Sequence, residues 1–524
     1  MTVAAFTAAA DLSRGLPIRG YCMKIAGLDI GTTGCKCTVF DEEGNYLGRA
    51  YHDYSPHGGR NDLTIDAADI VDGVFDVIRA MAAQYPDIGG IGVTSFGETF
   101  VAADDRGEPL YPSMLYTDPR GEQECAELTA RIGEDSIAQI TGLRPHQMYS
   151  ISKVLWLIRN KPEIWKRVCH IFLIGDYIIF RLTGGRMIDY SLATRTMAFD
   201  IRRLQWSSTI FEAAGVDSSL FSKPVPTGSI AGVLTREAAD KTGLSCDTKV
   251  IAVSHDQIAA CVGAGTFQDS IAVDGAGTVE CLTPIFHGMP DREVLSQGYF
   301  PLVPYVVPDT YAVYAFSYTG GALMQWCTDT LAGKERQEAA AQGISVNAYL
   351  EEQYRKEHAG KEDAPGSLLV LPHFAGAATP YMDTGSKGAI LGLTLGSSVA
   401  DIYRGCMEGI AYEMYLNYEL LKKAGVRCRE LRATGGGAHS AVWMQIKADM
   451  LNLPITALKT VDAGTVGSAM LVGTALGVFR DREDAAAHMV QVSRTYEPRQ
   501  SIHEQYMEVY ERYRKLYQAV RPLV

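Results

Sequence analysis

Short apolar runs closed by glycine-bearing turns set the pattern of this chain. Residues 24–49 predict a strand (KIAGLDI), a Gly/Thr turn (GTTG), a return strand (CKCTVFD) and a turn at Glu43-Gly44-Asn45. Residues 270–288 repeat it: SIAVDGAG, then TVECLTPIF, then a turn at His287-Gly288. Each unit predicts a β-hairpin whose tight turn presents main-chain N–H groups beside a carboxylate. Finding the unit twice predicts a duplicated domain with both turns facing one cleft.

Between the hairpins, strands alternate with helical stretches. GGIGVTSF (89–96) and KVIAVSHD (249–256) predict buried strands that run into loops, while residues 151–160, 318–331 and 403–422 carry helical apolar spacing. Alternation of this kind predicts α/β domains, with the boundary near Gly265–Ser270. The charged stretch 333–366 predicts a solvated surface excursion. Residues 502–520, with Tyr506, Val509, Tyr510, Tyr513 and Leu516 on one side, predict a docking helix. Residues 1–22 predict a disordered N-terminal extension or an over-long start. Thr2 to Ala10 is small and apolar, but no basic segment precedes it, so a signal peptide is not expected.

Composition narrows the partners. At 524 residues the chain needs two large domains or three smaller ones. Its 47% apolar and 21% charged residues are those of an ordinary globular protein. The net charge of −13 argues against a nucleic acid or an anionic membrane as partner. No apolar run approaches the roughly 20 residues of a membrane helix. Eleven cysteines without a CxxC pair predict reduced thiols in a cytoplasmic protein.

Candidate chemistry gathers at strand ends. Asp29-Ile30-Gly31-Thr32-Thr33-Gly34 is an amide-rich turn suited to phosphate oxygens, with Asp29 able to hold Mg²⁺; an ordinary hairpin turn would look the same. A second phosphate-facing turn, Asp274-Gly275-Ala276-Gly277-Thr278, favours a nucleotide clamp. Gly435-Gly436-Gly437-Ala438 sits between a strand and a helix, where bare backbone admits a flat ligand or a phosphate. It fits neither a Walker loop nor a dinucleotide fingerprint. Asp256 ends an apolar strand, the place for a general base in an α/β cleft and equally for a helix cap. Glu98 and Asp118 follow neighbouring apolar segments and can accept hydrogen bonds from vicinal hydroxyls, with Tyr116 as an apolar wall.

Taken in order, these pieces resemble the FGGY family of carbohydrate kinases over about residues 24–480. The first family signature is matched by MYSISKVLWLIRN (148–160), including Lys153 and Trp156. The second is matched by GAILGLTLGSSVADIYRGCMEG (388–409), with Gly405 and Cys406 as departures. LPHFAGAATPYMD (371–383) and GGGAHSAVWMQIKADMLNLPI (435–455) are similar to further family blocks. The resemblance implies two duplicated ribonuclease-H-like domains of the actin-like ATPase type around a central ATP cleft. Residues 23–266 would form the sugar-binding and catalytic domain, and residues 267–524 the nucleotide-binding domain. It implies Asp256 as general base, with Asp29, Thr32 and Thr33 at the phosphates and Mg²⁺. Gly277 and Thr278 would lie at the β- and γ-phosphates, and Gly436, Gly437 and Ala438 at the adenosine. Glu98, Asp118, Asp256, Gln257 and Tyr116 would meet the substrate.

The substrate branch is mixed. Asp256-Gln257 and Glu98-Thr99 resemble glycerol kinases, yet Gly97 stands where those have Arg, and Met148 replaces their aromatic. Xylulokinases carry a Met-His pair near 96–98, which this chain lacks. His255 replaces a usual Gly before the base, and His439 stands where Lys is common. The enlarged site favours a ketose or longer polyol, with a glycerol- or erythritol-type polyol kinase as the alternative. An ATPase of the same superfold is disfavoured by the polyol-binding acids, and a non-catalytic sugar-binding relative by the retained Asp29 and Asp256. Family members are often dimers, so a homodimer is among the expected assemblies, although no stripe announces an interface.

Overall fold

The computed structural model describes residues 23–524 apart from 60, 61, 460 and 461, so the expected extension 1–22 lies outside the described residues. The first half is built on β1 (Lys24–Ile30), β2 (Gly34–Phe40), β3 (Tyr46–Asp53), α1 (Ala67–Ala82) and β4 (Ile88–Ser95). After a long insertion carrying α2 (Ser150–Asn160), it is completed by β5 (Ser229–Val233), β6 (Lys249–His255) and α3 (Asp256–Gly263). The sheet order is β3-β2-β1-β4-β6-β5. β1, central and paired parallel to β4, is almost wholly buried, as a near-continuous apolar run demands; β3, at the edge, alternates exposed and half-buried positions.

The second half repeats the plan. Its strands are β7 (Ile271–Ala276), β8 (Glu280–Thr283), β9 (Ala315–Ser317), β10 (Glu430–Thr434), β11 (Ile455–Leu458) and β12 (Val492–Tyr496), in the order β9-β8-β7-β10-β11-β12. Pairing senses match across each sheet: two antiparallel steps, two parallel steps, one antiparallel step. The duplication anticipated from the two hairpins is therefore the architecture. One difference stands out: the outer antiparallel strand precedes its neighbour in the first half and follows it in the second.

Among the helices of the second half are α4 (Gly321–Thr330), α5 (Val346–Glu357), α6 (Val399–Lys423), α7 (Ala441–Leu451), α8 (Ala463–Ala475) and α9 (Gln500–Tyr513). α9 docks as expected, burying Tyr506, Tyr510 and Tyr513, whose hydroxyls donate to Glu408, Glu419 and Glu413 of α6. The excursion 333–366 is less solvated than its charge suggested. Leu350 and Tyr354 of α5 are buried, and Arg404 of α6 lies over the Tyr354 ring.

The halves meet where α3 and α8 cross. Each follows the last parallel strand of its own sheet, and they touch backbone to backbone at Gly263 and Gly467. A Cβ on either glycine would run into the facing helix at Ala463 O or Ala259 O. One apolar cluster, containing Ile251, Ile258, Val273, Leu458 and Val466, runs across this junction.

Candidate active site

β6 delivers Asp256. His255 closes the strand and Asp256 opens α3, so the aspartate is the first helical residue and His255, not Asp256, occupies the cap position. Oδ1 of Asp256 is shielded while the side chain as a whole keeps 31% exposure, which leaves its other oxygen open to the cleft. Burial pushes the carboxyl up to about 7, helped by Asp29 and Glu98, against the Gln257 amide and Arg195. His255 Nε2 lies 3.2 Å from Oδ1 without hydrogen-bond geometry, and its Nδ1 lies 3.2 Å from the Tyr314 hydroxyl. Burial and Arg195 hold this imidazole neutral, so the contact is not an ion pair.

β4 delivers Glu98. Its φ of 62° puts a bulky residue in the left-handed region, and Ser150 at the start of α2 fixes its carbonyl with a 2.7 Å hydrogen bond. Oε1 receives Nε of Arg195 at 2.7 Å and its Nη2 as well. The Arg195 guanidinium lies over the Tyr149 ring at 5.3 Å and the Tyr314 ring at 5.6 Å. Tyr149 thus places an aromatic ring next to Met148, under the guanidinium. Tyr116 shares this space: its hydroxyl is pushed up to about 12 by burial, then by Glu98, Asp256 and Tyr318. Gln257 is half-buried beside Asp256.

Asp118 is placed differently from the others. Both oxygens accept from Arg120, at 2.8 and 2.7 Å, and the carboxylate is fully shielded. Lys153 of α2 donates to the Asp118 carbonyl at 2.7 Å and to that of Gln147 at 3.1 Å. Asp118 and the signature lysine therefore brace the loop that carries Tyr116, with the Asp118 carboxylate paired to Arg120.

At the first hairpin, the Gly31 amide donates to Gly34 O at 2.9 Å and closes the turn, leaving Thr32 half-buried and Thr33 exposed. Asp29 pairs across the hairpin with Lys36, whose Nζ lies 3.1 Å from Asp29 and 2.9 Å from Asp462 at the start of α8. Burial raises the Asp29 carboxyl, opposed by Lys36 and reinforced by Asp462. Asp29 and Asp462 thus face one lysine, with Asp256 near enough to be raised by Asp29, and this oxygen-rich negative well fits a hard divalent cation. A Cβ at Gly464 would lie 2.9 Å from Asp29, so the helix start is bare where it meets the carboxylate.

The second hairpin borders a cleft of about 860 Å³. Gly277 and Thr278 line it, with their carbonyls bonded to the Gly321 and Gly320 amides at 2.8 and 3.0 Å. Across it, Gly436, Gly437 and His439 contribute backbone and imidazole. A Cβ at Gly437 would sit 2.6 Å from Trp443 and 2.8 Å from Ala276, whereas one at Gly436 would meet nothing, so bare backbone faces the space there. Ala438 is buried in the core behind the loop and does not line the cleft. Asn347 and Glu351 of α5 form a further wall, with Glu351 accepting from Ser440 Oγ at 2.7 Å.

Arg195, Lys36 and Glu351 did not emerge from the sequence. Lys36 had a signal, since a turn closed by Gly31 and Gly34 sets Asp29 opposite Lys36. Arg195 meets Glu98 across 97 positions from an ordinary turn and had none.

The FGGY carbohydrate-kinase N-terminal domain matches residues 24–263, and the corresponding C-terminal domain matches residues 283–476. A xylulose kinase of Staphylococcus epidermidis is 26% identical over 92% of this chain and 94% of its own length. A glycerol kinase of Symbiobacterium thermophilum is 29% identical over 89% of this chain and 92% of its own. Among solved structures, a xylulose kinase from Rhodospirillum rubrum superposes with a TM-score of 0.85 at 25% identity, covering 95% of this chain and 99% of that one. With two repeated sheets, a carboxylate at the end of β6 and a glycine-lined cleft, this chain belongs to the FGGY family of carbohydrate kinases.

Proposed function

We propose that this chain transfers the γ-phosphoryl group of ATP to a hydroxyl of a small ketose such as xylulose, with Asp256 as general base. The observation that carries the reading is Asp256 itself: one shielded oxygen, one open oxygen, and a carboxyl pushed up to about 7 beside Glu98 and Tyr116. A base poised near neutrality takes the proton from a poorly nucleophilic sugar hydroxyl as the P–O bond forms. Glu98 and Gln257 orient the acceptor, and Tyr116 walls it. Thr32, Thr33, Gly277 and Thr278 hold phosphate oxygens, and the Gly436–Gly437 backbone backs the nucleoside. Asp29 would hold Mg²⁺, which supplies charge neutralisation at the phosphates. Ten described cysteines, all without a disulfide, fit a reducing cytoplasm.

The Asp256–Gln257 pair and the 29% identity to a glycerol kinase support a glycerol- or erythritol-type polyol as the second reading. Coupled ADP release with ATP and Mg²⁺ across D-xylulose, other ketoses, erythritol, glycerol and aldonates separates them. The ketose reading expects strongest turnover on a ketose, cut about 1,000-fold or more in Asp256→Asn. Preference for glycerol or erythritol replaces it with the second reading, and full activity in Asp256→Asn removes the base.

A further inference from the structure

Arg195 is packed like a core side chain, with 6% exposure, and reaches Glu98 from the turn that follows the short helix Tyr190–Thr194. Two of its nitrogens grip a single oxygen of Glu98, while Nη1 is buried without a partner. Glycine at position 97 leaves room for it. A Cβ there would lie 2.9 Å from Arg195 Cγ and 3.1 Å from His255 Cδ2. Burying a guanidinium with one nitrogen unsatisfied is costly, and apolar packing would serve stability better. The arrangement does leave a defined product: Oε2 of Glu98 takes no hydrogen bond among the described residues, in the space shared with Tyr116 and Asp256.

We propose that Arg195 is the positioning residue of the acceptor site, gripping one oxygen of Glu98 so that the other is fixed to receive a substrate hydroxyl, and that Gly97 is the vacancy that admits it. The assignment rests on the kinase function proposed above. A carboxylate oxygen gripped on its partner atom by Arg195 is placed to accept, so the substrate must present O–H at this point, and an analogue lacking that hydroxyl leaves Oε2 of Glu98 without a partner. The acceptor class is therefore a polyol or the hydroxylated flank of a ketose.

The test measures acceptor KM, ATP KM and kcat with D-xylulose, erythritol and glycerol as probes. Arg195→Met is expected to raise the KM of the preferred acceptor about 30-fold or more, with kcat within about threefold and ATP KM unchanged. Arg195→Lys, a point charge without the planar fork, falls between Met and wild type. Gly97→Ala removes no charge but crowds the guanidinium, and is expected to raise the same KM about fivefold. Moving the guanidinium, as Gly97→Arg with Arg195→Gly, is expected to recover about tenfold of the Arg195→Met loss. Should Arg195→Met not fold, Gly97→Ala and the double variant decide the matter. Acceptor KM unmoved in these variants, or a fall in kcat alone, overturns the assignment while leaving the kinase standing. A wild-type protein whose ADP release no acceptor stimulates overturns both.

Discussion

The two hairpins hold the same carboxylate and treat it in opposite ways. Asp29 on β1 and Asp274 on β7 each sit on the central strand and each meet a lysine. Asp29 keeps 15% exposure, and its lysine also reaches Asp462 from the other half. Asp274 is sealed with Lys447 and Glu280 under the Trp443 ring, and burial drives the Glu280 carboxyl well above its usual range. One copy is an open well of charge, the other a closed internal knot of one lysine and two acids. The scaffold is the same in both halves, but only the first leaves its hairpin carboxylate partly open.

Substitutions sharpen this contrast. Asp29→Asn is expected to lower kcat by about 1,000-fold through loss of the cation well, with the thermal midpoint nearly unchanged. Steady-state kinetics and melting measured on the same preparation check it, and a large loss of stability would place Asp29 with Asp274. Lys447→Met strands two buried acids and is expected to cost about 3 kcal/mol in urea unfolding. Lys36→Met, its counterpart, leaves its acids wetter and is expected to cost under about 1 kcal/mol. Equal losses would erase the distinction.

The pH profile is a subtler check. With Asp256 pushed up to about 7, kcat/KM is expected to rise through neutrality and level off above it, and Asp256→Asn abolishes that limb. The raised carboxyl also binds its proton more tightly in the folded chain than in the unfolded one. Stability contributed by that proton is full at acid pH and falls as pH climbs from about 4 to about 7. Asp256→Asn is therefore expected to melt slightly higher at pH 8, by about 1 °C, the gain being small because the side chain keeps 31% exposure. A lower melting point at pH 8 would contradict the raised carboxyl.

Much of this was legible in the residues because its causes are local. Asp-x-Gly in one turn and Asp-Gly in the other mark the two hairpins after apolar strands, and Asp256 ends a strand whose burial is evident from KVIAVSH. Asp118 reads as a free loop acid until its neighbour two residues on is noticed, since Asp-Pro-Arg permits the clasp with Arg120. In the charged excursion, Val346, Leu350 and Tyr354 recur every four residues, a stripe masked by the acids and lysines between them. Arg195 lay beyond such reasoning, because its meaning depends on which turn lands beside Glu98 once the insertion has folded.

Any rotation of one half against the other would have to pass through the close crossing at Gly263 and Gly467. Asp256 lies seven residues before Gly263 on α3, a lever arm of about 10 Å. Gly464 and Asp462, which meet Asp29 and Lys36, stand just before Gly467 on the other helix. A roll of about 10° at so short a fulcrum would carry Asp256 about 2 Å, enough to make or break a hydrogen bond. Bare backbone at the contact makes the pivot thin, and a methyl group on either glycine would act as a wedge holding the halves ajar.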